Sequence, residues 1–194
     1  MELEAIRKFF DQRASEWDTF NERDEEHIRK ILDAACIGEG DRILDVACGT
    51  GVLIPDYLAR KAELVVGVDL SSEMIRIARS KFTDPAVMFI NDDIDNIGEG
   101  FSFDRVMVYN AFPHFVDPKG MILKISGMVK IGGTVTIAHG AGRNVINDCH
   151  SELTKEIADD LIPAEEMVGL FDESIEITTV IDSDFYVVSG KRIK

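Results

Sequence analysis

No apolar run in this chain is long enough to cross a bilayer. The first twelve residues, Met1 to Gln12, mix charges among their apolar positions, so the uninterrupted core of a signal peptide is absent there. Cysteine is scarce. Cys36, Cys48 and Cys149 lie far apart with no CxxC pairing, which excludes a disulfide scaffold or a zinc site and suits a reducing cytoplasm. Basic residues are outnumbered, with 21 Lys and Arg against 36 Asp and Glu, a formal net charge of −15. Such a surface repels phosphate backbones and anionic membranes, so neither nucleic acid nor membrane is expected as a partner. Internal repeats and low-complexity tracts are absent too. What remains is 194 residues, 45% hydrophobic, the size and make-up of a single domain over residues 1–194 with a sizeable core.

The chain is organised around Ile43-Leu44-Asp45-Val46-Ala47-Cys48-Gly49-Thr50-Gly51. An apolar run carries one acid, breaks into a small-residue turn, and leads into a helix over Val52 to Arg60. A strand feeding a glycine turn and a helix builds a nucleotide-type pocket, because small side chains let the backbone approach a ligand. Upstream, Ile6, Phe9, Phe10, Arg13 and Trp17 share one helical spacing and Ile28, Ile31, Leu32 and Ala35 another. These read as two amphipathic helices in residues 1–38, joined around Phe20-Asn21. They either cover one sheet face or form a lid carrying Trp17. Downstream, Leu64 to Val68 runs apolar into Asp69, as a strand buried on both faces does. Ser71 and Ser72 can cap a helix bearing Met74, Ile75 and Ala78. Strands follow at Val87 to Ile90, Phe103 to Tyr109 and Thr134 to Ala138, the last after a Gly132-Gly133 turn, with a helix from Pro118 between. This alternation predicts an α/β fold with a doubly wound, mostly parallel sheet. Asn144 to Leu161 reads as a helix striped by Ile146, Cys149, Leu153, Ile157 and Leu161, part of a helical cap over 140–162. Pro163 to Phe171 predicts another helix. Ile175 to Ile181 and Phe185 to Val188, joined by Asp182-Ser183-Asp184, predict an antiparallel hairpin.

In this order and spacing the residues resemble the class I S-adenosylmethionine-dependent methyltransferases, and are similar to the small ubiquinone/menaquinone methyltransferases. The resemblance runs from about Phe10 to the final hairpin and implies the Rossmann-like methyltransferase fold. Asp45 to Gly51 resembles the family's acidic, glycine-rich motif, with Gly49 and Gly51 in two glycine positions and Ala47 in the first. That turn is implied to wrap the methionine part of S-adenosylmethionine. Asp69, followed by Leu70, resembles the acid that binds both ribose hydroxyls, and a carboxylate does accept two hydrogen bonds from a vicinal diol. Met74 resembles the apolar residue against adenine. Asp93 and Ile94 resemble the pair that meets the adenine edge, Asp92 being an alternative register. Asn110 after Tyr109 resembles the residue beside the cofactor's amino-acid end.

Methyl transfer from a sulfonium needs positioning and desolvation of the nucleophile, and a base only where a proton must leave. The acceptor site is therefore not written in the cofactor motifs. Three stretches qualify. His114, in Asn110 to Phe115, and His139, at the end of strand five, are candidate bases. The bland alternative for His114 is a structural hydrogen bond within its loop. Arg143, Asn147 and His150 recur at i, i+4, i+7 on one helical face and, with Trp17, are candidates for a substrate pocket. The Asn-Ala-Phe-Pro stretch lacks the prolines of the amino-group methyltransferase motif it superficially resembles. His139, Cys149 and His150 lack the paired spacing of a metal site, so no metal is expected. A nicotinamide dehydrogenase is disfavoured because Ile54 stands where the third fingerprint glycine belongs. The expectation is an enzyme transferring methyl to a small molecule, the alternative a non-catalytic binder of the same cofactor.

Overall fold

The computed structural model describes residues 1–20, 23–98, 100–151 and 155–194. Three N-terminal helices, α1 (Leu3–Arg13), α2 (Trp17–Phe20) and α3 (Glu25–Ala34), precede β1 (Arg42–Val46). Then follow α4 (Ile54–Ala59), β2 (Leu64–Asp69), α5 (Ser72–Lys81), β3 (Val87–Asn91), β4 (Phe103–Tyr109), α6 (Pro118–Met128) and β5 (Val129–His139). The chain closes with α7 (Arg143–His150), α8 (Ala164–Val168), β6 (Ile175–Asp182) and β7 (Tyr186–Arg192). Single 3₁₀ turns lie at Ile94–Asn96 and Phe112–His114.

The seven strands form one sheet in the order β3-β2-β1-β4-β5-β7-β6. β1 to β5 are parallel, while β7 runs antiparallel to both β5 and β6. The central strands β1, β2 and β4 are largely buried on both faces and split their alternate residues between two cores. Leu44, Val46, Val106 and Val108 pack with α6 and α8 residues such as Ile122, Ile125 and Met167. Ile43, Val65 and Met107 pack with Ile28, Ile31 and Leu32 of α3 and Ile54 and Tyr57 of α4. The crossover after β3 passes to the far side of β1, so the sheet reverses direction between β1 and β4. The connections leaving these two strands diverge there and open a crevice.

Local chemistry sets the boundaries. Asp24, Ser71 and Asp117 cap α3, α5 and α6 by accepting from His27 N, Met74 N and Gly120 N. Pro55 and Pro118 sit in the first turns of α4 and α6, where no intrahelical N–H is needed.

Several expectations are corrected. α1 stops at Arg13, so Trp17 opens a separate short helix. Gly132 and Gly133 lie inside β5, at a register shift against β4. A Cβ on Gly133 would stand 2.4 Å from the Asp104 carbonyl oxygen, so only glycine allows that approach. The helix read over Asn144 to Leu161 ends at His150. Asn147 holds the returning chain alongside α7, its side chain donating to Leu161 O (3.1 Å) and accepting from Leu161 N (2.7 Å). The joint placed at Phe20-Asn21 and the stripe position Leu153 include residues outside the described ones. The two N-terminal helical patterns also have different roles: α3 belongs to the core, whereas α1 and α2 lie over the crevice.

Candidate active site

The crevice is a cavity of about 810 Å³ at the carboxyl ends of β1, β2 and β4, roofed by α1 and α2. Its floor begins at the turn after β1. Ala47 (φ 55°), Gly49 (φ 56°) and Gly51 (φ 85°) all adopt the left-handed region. At Gly51 a Cβ would meet the Phe82 ring at 2.8 Å and Ile54 at 3.0 Å, so both conformation and space demand glycine. The turn is tied to β2 by Cys48 N donating to Val68 O at 3.1 Å.

Asp69, at the end of β2, is the electrostatic centre of this half. Its Oδ2 accepts from Gly49 N at 2.7 Å and its Oδ1 from Ser71 N at 2.8 Å. The carboxylate thus braces the turns after β1 and β2 against each other. Burial pushes its pKa up to about 6, the two amides opposing the shift. Leu70, Met74, Asp93 and Ile94 line the cavity beside it, and Asp92 lines it too. Asp93 Oδ1 caps the 3₁₀ turn by accepting from Asp95 N, and Asp92 Oδ1 accepts from Asp93 N and Asn96 Nδ2. Asn110 (φ 54°) closes the floor after β4, its Oδ1 accepting from Gly140 N at 2.9 Å.

Asp45 does not reach the wall. It is 2% exposed beneath the turn, on the face of β1 that looks toward α4, with Oδ2 unpartnered. Burial, reinforced by the charge of Asp69, pushes its carboxyl up to about 8. The cause is strand alternation, which turns Val46 toward one face and Asp45 toward the other.

The roof is latched by polar contacts. Asp11 of α1 accepts from Ser71 Oγ (2.6 Å) and Glu73 N (3.2 Å) at the start of α5. Asp18 of α2 accepts from Thr50 Oγ1 and pairs with Lys81 at 2.7 Å. Arg23 donates to the Val52 carbonyl and pairs with Asp56 at 2.9 Å. Beneath these latches Leu3, Ile6, Phe10 and Trp17 face the cavity, Phe10 and Trp17 meeting edge to face at 5.4 Å. These latches join segments distant in sequence, and no spacing pattern announced them. The apolar stripe of Ile6, Phe10 and Trp17 was the one available signal.

The histidines divide. His114 lines the cavity and meets Phe10 edge to face at 4.9 Å. Its Nδ1 lies 2.9 Å from the Ile157 carbonyl oxygen. Burial lowers its pKa to about 4. His139 is 1% exposed and lies behind the wall, both ring nitrogens unpartnered, its ring edge-on to Tyr186 at 6.0 Å. Burial lowers its pKa to about 3, His114 and His150 contributing. His139 shares its face of β5 with Val135 and Ile137 and is buried among that core, outside the cavity lining. Arg143, Asn147 and His150 are likewise absent from the lining. Arg143 pairs with Asp182 at 3.0 Å, Asn147 clamps Leu161, and His150 touches the back of His114 at 5.1 Å between ring centroids. The described residues of 140–162 back the wall near His114, Asp159 N donating to Pro113 O, and none of them is among the cavity lining.

Among the described residues no cluster of His, Cys, Asp or Glu has the geometry of a metal site, and no helix is long and apolar enough to cross a membrane.

Residues 43–133 match a family described as "Methyltransferase domain". A ubiquinone biosynthesis O-methyltransferase of Paracidovorax citrulli is 30% identical over 109 residues, 54% of this chain and 45% of that protein. The chain spans about half the length of the curated relatives it matches. In three dimensions it is similar to a methyltransferase solved in complex with the Haloferax volcanii Trm112 methyltransferase activator. The TM-score is 0.82 at 20% identity, over 97% of this chain and 98% of that one. It is similar also to the magnesium protoporphyrin IX methyltransferase of Synechocystis PCC 6803 solved with bound SAH. Here the TM-score is 0.73 at 17% identity, over 98% of this chain and 100% of that one. At these identities the structural likeness is one of fold. Sequence over the site and fold over the chain agree: residues 43–133 carry the match to a methyltransferase domain, and the chain keeps the fold of these solved methyltransferases nearly from end to end.

Proposed function

We propose that this chain transfers a methyl group from S-adenosylmethionine to a small-molecule acceptor held between the strand ends and α1–α2. The observation that carries the reading is Asp69. Each of its oxygens accepts one backbone amide and keeps a lone pair for a ribose diol, at the edge of a cavity floored by the left-handed turn. Leu70, Met74 and Ile94 supply apolar surface for the adenine ring, and Asp93 an acceptor at its edge. Ala47, Gly49 and Gly51 leave the backbone open to the methionine part. The acids around the cavity suit a cationic sulfonium.

Held by these residues, S-adenosylmethionine would supply a methyl group activated on a sulfonium, whose thioether is the leaving group. The residues of this chain hold the two molecules in register and exclude water. The latches Asp11–Ser71, Asp18–Lys81 and Arg23–Asp56 keep the apolar underside of α1 and α2 over the reacting centre. The three cysteines, none in a disulfide, fit a reducing compartment such as the cytoplasm.

The test is calorimetric titration with S-adenosylhomocysteine. Asp69→Ala is expected to weaken binding about 100-fold, the loss of two charge-assisted hydrogen bonds. Asp69→Asn, which still accepts at one atom, should lose less. Wild-type affinity in Asp69→Ala would refute the assignment.

A further inference from the structure

The charges in the cavity restrict the acceptor it admits. Among the described lining residues the cations are Arg23 and Lys81. Arg23 is engaged by Glu25 (3.0 Å) and Asp56 (2.9 Å), and Lys81 by Asp18 (2.7 Å). The other charged lining side chains are acids. Beyond Asn110 the wall is Leu3, Ile6, Phe10, Phe115, Val116 and Met121, with Asp117 already committed to capping α6. The polar side chain presented at that end is His114.

The state of that ring follows from its contacts. A carbonyl oxygen only accepts, so the 2.9 Å contact to Ile157 places the proton on Nδ1. Burial keeps the ring neutral, with a pKa near 4, which leaves Nε2 as a bare lone pair. Nε2 makes no hydrogen bond among the described residues, and the ring lines the cavity. Phe10 on one side and His150 on the other hold the ring in place.

We propose that the acceptor is an uncharged or cationic molecule with an apolar body that presents an O–H or N–H to Nε2 of His114, and that carboxylated and phosphorylated molecules are rejected. This rests on the methyl-transfer reading of the same cavity. An anion entering here would lose its hydration and find no free cation, a large uncompensated cost. The step balances. The nucleophile's lone pair forms the bond to the methyl carbon while the carbon–sulfur pair passes to sulfur. The proton on the nucleophile, made strongly acidic by alkylation, moves to Nε2 and from there to water.

The test uses protein saturated with S-adenosylhomocysteine and four probes of one shape, 2-naphthol, 2-naphthylmethylamine, naphthalene and 2-naphthoate. Their dissociation constants are read by ligand-observed NMR. Naphthol and the amine are expected to bind, naphthalene about fivefold more weakly than naphthol, and naphthoate at least about 30-fold more weakly. In His114→Leu the ratio of naphthol to naphthalene should fall to about one while S-adenosylhomocysteine still binds, which also shows that the variant folds. A histidine ¹⁵N spectrum should place the His114 proton on Nδ1. Naphthoate matching naphthol, an unchanged ratio in His114→Leu, a proton on Nε2, or no probe binding would each overturn the proposal. Failure of S-adenosylhomocysteine itself to bind would instead refute the methyl-transfer reading.

Discussion

The two ends of the cavity are built on opposite principles. At the β1–β2 end, polar groups are held by the backbone of the strand-end turns: amides of Gly49 and Ser71 converge on Asp69, and left-handed residues bare the backbone. At the β4 end the surface is apolar, and its polar group, His114, is set by residues far along the chain, Phe10 on one side and Ile157 and His150 on the other. On the proposed reading the first end recognises through backbone and carboxylates, so little in it can vary without breaking the turn. The second recognises through side chains on helices and loops, which can be exchanged one by one without disturbing the sheet. A fold arranged this way keeps one cosubstrate while changing its partner.

The sharpest way to break the contrast is Gly51→Ala. A methyl there must clash with Phe82 and sit at φ 85°, so a stability loss of about 2–4 kcal/mol is expected by chemical denaturation, together with loss of S-adenosylhomocysteine binding. A variant as stable as wild type would mean the turn is not crowded. At the other end, Asn147→Ala strips the buried backbone of Leu161 of both its partners, and about 1–3 kcal/mol of stability should go. Because the same segment carries the Ile157 carbonyl, the His114 resonances in an NMR spectrum should shift while S-adenosylhomocysteine affinity stays near wild type. An affinity loss equal to that in Asp69→Ala would show that the ends are not independent.

The third prediction concerns pH. An acid whose folded pKa lies above its unfolded value keeps a proton that the unfolded chain has released, so stability falls as pH rises between the two values. Asp45, raised to about 8, should therefore lower the stability of the ligand-free protein by about 2 kcal/mol between pH 6.5 and 8.5. Below that window His114 and His139, with lowered pKa values, act with the opposite sign: the unfolded chain takes up their protons first, and stability rises with pH. Denaturant titrations of Asp45→Asn and wild type at both pH values isolate the Asp45 part. The variant's curve should be flatter, and parallel curves would place the titrating group elsewhere.

How legible each end was follows from the same contrast. Ala47, Gly49, Gly51, Asp69, Leu70, Met74, Asp93, Ile94 and Asn110, which the family resemblance singled out, all line the cavity. The exception, Asp45, is a matter of strand parity, since one residue along β1 separates the cavity side from the α4 side. Parity does not explain His139: it shares the sheet face of Val46, yet it is buried in the core behind the cavity lining, edge-on to Tyr186. Arg143, Asn147 and His150 do share one side of a helix as the spacing required, yet that side faces Asp182, Leu161 and the back of His114. Helical periodicity says which residues travel together and not what they meet.

The sequence by itself determined the strand–turn–helix order, the acid after β2 and the acidic balance of the surface. These depend on local backbone preference, burial pattern and composition, all present in short stretches. Only the tertiary structure decided that α1 and α2 roof the crevice while α3 joins the core. It alone decided that Arg23 and Lys81 are already paired, and that the Ile157 carbonyl fixes which nitrogen of His114 is bare. Each of these is a contact between segments tens of residues apart, and no period along the chain records such a meeting.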